Sequence, residues 1–192
     1  MTASGFPWHP LRGQDRVRRA QAEGWLLAAA HFDRKRAPEA ERAAIHDWER
    51  GTVALLTAGV TWDVVRVPYN ALSPGFSRDT NPDELRQRLA DLKVHGAAFC
   101  DPYRPYLYVM VPAGTDREWP ARQLADVECM GSSKAYIHHV GVPRVDRIAP
   151  PGLYWLTSPD AEGPHYADWQ HLFAVLRDLQ DQAEARAASG AP

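Results

Sequence analysis

Asp126 and Glu128 are separated by a single valine. On an extended strand alternate side chains share a face, so this spacing would point both carboxylates the same way. Hard cations such as magnesium bind carboxylate oxygens, and a pair of them supports phosphoryl transfer when further acids converge from neighbouring strands. Asp63, inside the run Trp62-Asp63-Val64-Val65-Arg66-Val67-Pro68, is the natural third metal ligand. No second acid stands two positions from Asp63, so the simpler account takes precedence: all three are solvent-facing strand residues.

Cys100, Cys129, His138 and His139 invite a zinc site, but adjacent histidines on a strand diverge and the paired spacing of structural zinc is missing. Cys129 with His138 or His139 would form a nucleophilic pair if their strands were neighbours. Nothing marks an oxyanion hole, and a buried cysteine behaves mostly as a small hydrophobe. His31, His46 and His171 fall on predicted helices and carry no motif. Neither a glycine-rich phosphate loop nor a Gly-x-Ser-x-Gly elbow is present, which removes the best support for several nucleotide and hydrolase classes. Tyr103, Tyr106, Tyr108, Tyr136 and Tyr154, with Trp62 and Trp155, gather on strand-like segments; they read as core, with a stacking platform for bases as the alternative.

The elements that must position these groups follow from periodicity and punctuation. One helix is expected from Arg12 to Phe32, with Val17, Ala20, Gly24, Leu27 and Ala28 along one side. Pro38, followed by Glu39 and Glu41, opens a second helix whose Ala44, Ile45 and Trp48 turn inward. Thr52 to Ala58 is open between helix and strand, and Trp62 to Pro68 is a strand. Asn81 caps a helix with Pro82 in its first turn and a stripe of Leu85, Leu89 and Leu92, ended by Gly96. Short strands are expected at Ala97 to Cys100, Tyr106 to Val111, Gln123 to Met130, Ala135 to Val140 and Leu153 to Leu156, with a proline-rich loop from Val142 to Gly152. A closing helix carries Trp169, Leu172, Phe173, Leu176 and Leu179, and Ala187 to Pro192 is a frayed tail. The sum is an α+β fold, a mostly antiparallel or mixed sheet with helices packed on one side. By range, 1–50 is a helical segment packed on the core, 51–160 the core itself, 161–187 the closing helix of the same domain and 188–192 the tail.

With 192 residues, 45% hydrophobic and 24% charged, the chain suits one globular domain. Its net charge of -2 excludes the whole-molecule field of a strongly basic nucleic-acid binder. The charge is polarised: residues 1–37 hold seven basic and three acidic groups, and residues 160–192 hold two basic and six acidic. These read first as solvated helix faces. The sharper alternative is a nucleic-acid arm of Arg12, Arg16, Arg18 and Arg19 that follows a phosphate backbone. Two cysteines, no signal pattern at the start and no apolar run near the roughly 20 residues needed to cross a bilayer set the expectation of a cytoplasmic protein without a membrane partner.

The stretches Trp62 to Pro68, Tyr106 to Gly114 (YLYVMVPAG) and Asp126 to Pro159 resemble the small actinobacterial relatives of the bifunctional primase-polymerase amino-terminal domain, a likeness spanning about residues 50 to 160. The resemblance implies an RRM-like sheet with a two-metal polymerase site. Asp63 would stand for the first acid of that site, Asp126 for the late one, and Gly131 to His138 for the glycine-rich strand. The sequence departs from the pattern where Val65 follows Asp63 by two and where Arg104 to Tyr108 lacks a Ser-x-His. A site short of one metal ligand and of its phosphate contact loses the charge neutralisation that nucleotidyl transfer needs. The expectation is therefore a catalytically degenerate primase-polymerase-like domain, a binding or regulatory module with DNA or a replication-related protein as partner and no cofactor. Two alternatives stand beside it. One is an active metal-dependent nucleotidyltransferase or phosphodiester enzyme using magnesium with Asp63, Asp126 and Glu128; the other is a pure protein-interaction module.

Overall fold

The computed structural model describes residues 13–133, 137–159 and 165–189. Its elements are α1 (Gly13–Leu27), α2 (Ala37–Glu49), β1 (Ala54–Thr57), β2 (Trp62–Pro68), α3 (Tyr69–Leu72), α4 (Pro82–Asp91), β3 (Ala98–Asp101), β4 (Tyr106–Pro112), α5 (Thr115–Glu118), β5 (Glu128–Met130), β6 (His139–Val142), β7 (Tyr154–Thr157) and α6 (Trp169–Ser189). The fold is α+β, and every strand pairing in it is antiparallel. Five strands form the main sheet in the order β5-β2-β4-β3-β7, while β1 and β6 form a separate pair. Within the main sheet β2-α4-β3 is a crossover that leaves room for β4 between its two strands, the split β-α-β plan.

Period-two alternation divides the side chains of this sheet between two cores. Val65 and Val67 of β2, Leu107, Val109 and Val111 of β4 and Cys129 of β5 pack with Leu72, Leu85, Leu89, Leu172 and Leu176 of the helices α3, α4 and α6. Trp62, Val64, Met110, Phe99 and Trp155 point the other way, onto Ala22 and Leu26 of α1, Trp48 of α2 and Leu56, Val140 and Val142 of the β1–β6 pair. The expectation of helices on one side is thus corrected: both faces are covered. A strand buried on both sides, as Trp62 to Val65 is, needs two covers.

Local chemistry explains the ends. Asn81 Oδ1 accepts from the Asp83 N–H at 2.9 Å and caps α4, with Pro82 in the first turn. The Trp48 indole N–H reaches Val142 O at 2.9 Å and pins α2 to β6. On α1 the buried residues are Ala22 and Leu26, continued past its end by Ala29 and Ala30, whereas Val17 is 57% exposed; the buried side lies two positions away from the expected Ala20 and Gly24, nearly opposite them on the helix. Ile45 likewise points to solvent. The run left open between helix and strand is β1, and α6 continues as helix to Ser189 where a frayed tail was expected from Ala187. The strand expected from Gln123 is confined to Glu128–Met130, because Asp126 has a left-handed backbone (φ 59°) that ends extended pairing. Ala135 and Tyr136 lie outside the described residues, and the strand expected there is found as His139–Val142. Gly96 lies beyond the helix it was expected to end. Its φ of 115° and the Ala167 nitrogen 2.5 Å from where a Cβ would stand reserve the position for glycine.

Candidate functional site

Asp63 is fully buried, on the face of β2 shared with Val65 and Val67. Its Oδ2 accepts from the Asp116 backbone N–H at 2.9 Å, while among the described residues Oδ1 has no hydrogen-bond partner. Burial disfavours the charged carboxylate and raises its pKa from 3.8 to about 6; the Asp116 N–H opposes the rise and the Asp116 carboxylate adds to it. Asp116 is itself only 8% exposed and its Oδ2 accepts from both the backbone N–H (2.9 Å) and the hydroxyl of Ser133. Gly131 closes the arrangement, since a Cβ there would overlap the Asp116 carboxyl group. Two carboxyl groups, one hydroxyl and a glycine thus join β2, α5 and the segment after β5. The reading of Asp63 as a solvent-facing residue is corrected.

The three acids that the active-enzyme alternative would place around an ion do not meet. Glu128 pairs with Arg66 across the sheet, on the face opposite Asp63. Asp126 lies beyond Pro68, at the far end of β2 from Asp63. Five residues of strand at roughly 3.3 Å each place about 16 Å between the two ends. The left-handed turn at Asp126 also breaks the alternation that would have matched it to Glu128. Among the described residues no group of three histidine, cysteine or acidic side chains is placed to hold a metal.

The sulfur and imidazole readings fare similarly. Cys100 on β3 and Cys129 on β5 are buried thiols with β2 and β4 between them, about 14 Å of sheet at roughly 4.8 Å per strand. Cys129 faces the helices, whereas His138 donates through Nδ1 to Gly131 O at 2.9 Å and sets Nε2 3.6 Å from Glu128, on the other face. No zinc site and no Cys/His pair arises from these residues. His139 is exposed at the end of β6, and His171 on α6 donates to Leu92 O at 2.9 Å, a structural tie between helices.

Of the arginines expected to form a nucleic-acid arm, Arg12 lies outside the described residues, and Arg16 and Arg18 are exposed on α1. Arg19 is committed internally: it meets Glu23 (2.9 Å) and Asp146 (2.8 Å), and Arg144 meets the same two acids at 3.6 and 3.5 Å. This four-membered ring docks α1 on the loop after β6.

Among the described residues, concave surface is found instead at the Pro68 end of the sheet. Two adjoining depressions of about 450 and 540 Å³ share Pro68, Asn70 and Asp126. The larger is bordered by Arg78, Asp79, Arg104, Phe76 and Tyr106, with Arg78 Nε 3.8 Å from Asp79 Oδ1. Arg66 lies over the Tyr106 ring, 4.8 Å from its centroid, and is held by Glu128 at 3.1 Å; the neighbouring Tyr103 is 71% exposed. Tyr108 stacks on Phe99 at 4.9 Å and belongs to the core, as does Trp155. Sequence reasoning had marked Tyr103, Tyr106 and Asp126 but not Arg66, Arg78 or Arg104. Arg104 and Tyr106 lie in one turn-strand stretch with Tyr103, and that interleaving of basic and aromatic residues was the available signal. Asp116 and Ser133 gave none, because only the return of two loops onto β2 brings them to Asp63. The chain matches no family model, no curated protein and no solved structure.

Proposed function

We propose that this chain is a nucleic-acid-binding module on a split β-α-β core, primase-polymerase-like in plan and without metal-dependent synthesis. The observation that supports this reading most is the Pro68 end of the sheet, where Arg78 and Arg104, with Asp79 and Asp126 beside them, border a depression that half-exposes Tyr106 beneath Arg66. Guanidinium groups follow phosphates by charge, and aromatic faces take bases by stacking at about 1–3 kcal/mol each. The separation of Asp63, Asp126 and Glu128 supports the non-synthetic half of the reading, since a two-metal reaction requires its carboxylates to converge. DNA is the polymer this reading favours, with a replication-related protein as the other class of partner.

The test is fluorescence anisotropy on labelled single- and double-stranded oligonucleotides across a salt series. Binding is expected to weaken steeply as salt rises, and Arg78→Glu with Arg104→Glu to cost roughly tenfold or more in affinity. Arg16→Glu with Arg18→Glu, on α1, is expected to cost less than about threefold at the same salt. Absence of binding at low salt, or equal losses from the two pairs, would defeat the assignment of the surface. Robust magnesium-dependent primer extension, abolished by Asp63→Ala, would defeat the claim about synthesis.

A further inference from the structure

The smaller depression plays no part in that reading, and we propose that it binds a small amphipathic anion, an apolar chain or ring bearing one carboxylate-like group. Its volume of about 450 Å³ lies in the range of small-molecule sites. Its walls are the segment from Pro68 to Pro74, the turn before β5 and the second half of α6. Leu72, Leu124, Val127 and Leu176, between 0 and 6% exposed, supply an apolar floor.

Charge selects the head group. Arg88 and Arg186 both line the cleft, and among the described residues Asp126 is the one acid that does. Arg88 is anchored, its Nε donating to Leu72 O at 2.9 Å, so the guanidinium is part of the wall and not a freely swinging surface group. Asp126 stands where the cleft joins the neighbouring depression, so an anionic head is directed away from that junction and the apolar part lies over the leucine floor. The walls are tied together before any ligand arrives: the Ala125 N–H donates to Gln180 Oε1 at 3.0 Å, and Arg177 Nη1 to Gln123 Oε1 at 2.8 Å. A preformed cleft spends little on ordering when it binds.

Decanoate and decyltrimethylammonium, two amphiphiles with the same chain and opposite charge, are the probes for isothermal titration calorimetry on the full chain below their micellar concentrations. Decanoate is expected to bind saturably, one molecule per chain, and roughly tenfold tighter than the cationic probe. Arg186 is exposed on α6, so Arg186→Glu leaves the fold intact and is expected to weaken decanoate by roughly fivefold or more and to narrow or invert the preference. Arg122→Glu, an exposed charge outside the cleft, is the control and should change decanoate affinity less than about twofold. No saturable decanoate binding, no discrimination between the probes, or equal effects of the two substitutions would each overturn the proposal. None of these outcomes depends on whether the chain binds nucleic acid.

Discussion

Asp63 shows how a residue type can be read correctly and its role missed. A carboxylate at the start of a β-branched strand suggests a metal ligand or a solvated side chain, but here it is sealed under α5 and the Gly131–Ser133 segment. A buried acid whose pKa rises from 3.8 to about 6 makes the folded state bind its proton more tightly than the unfolded chain does. The contribution to stability is therefore complete below about pH 4 and is lost as pH rises through about 6, a total of about 3 kcal/mol. Asp63→Asn keeps an oxygen for the Asp116 N–H and removes the titration. Urea unfolding at about pH 4 and about pH 7 should show the native chain losing more stability than the variant over that interval. Parallel pH dependence in the two proteins would show that Asp63 is not held as described. At the Pro68 end the residue types were informative in the opposite sense: Tyr106 was marked as core or platform, and Arg66 above its ring leaves it half-buried, at the edge of an open depression.

Among the elements, those whose ends are written in local chemistry were the ones legible beforehand. The strand Trp62–Pro68 was read with its observed limits, and α4 with its cap, because β-branched residues ended by proline and an Asn-Pro start act within a few residues of chain. Asn81→Ala should cost about 1 kcal/mol in thermal or chemical unfolding, since the Asp83 N–H loses its acceptor while the leucine stripe stays buried. A loss below about 0.3 kcal/mol would mean that solvent replaces the cap without penalty. Elements whose form depends on distant partners were harder to read. The buried face of α1 is chosen by Tyr166, which bonds both Trp25 and Thr61, and by the ring of Arg19, Glu23, Arg144 and Asp146. Strand β5 was read too long because β-like composition from Gln123 does not reveal the left-handed turn at Asp126.

At the scale of the molecule, one five-stranded sheet is the shared wall of both cores, so neither core persists if the sheet separates. Unfolding followed by near-ultraviolet and far-ultraviolet circular dichroism should therefore give a single coincident transition. Two separated midpoints would show that the α1–α2 layer with β1 and β6 melts independently. Composition and periodicity alone determined the α+β class, most strands and the helices α4 and α6, because alternation, helical stripes and turn residues act over a few positions of chain. Among the described residues no helix is long and apolar enough to cross a membrane, as the short apolar runs implied. Only the tertiary structure decided which side chains share a place: that Asp63 meets Asp116 and Ser133 and not Asp126, that Glu128 faces Arg66, and that Arg78, Arg104 and Tyr106 border one depression. The physical reason is that strand order, face and loop return are set by packing two layers against both sides of one sheet, and those long-range choices leave no trace in the spacing of residues along the chain.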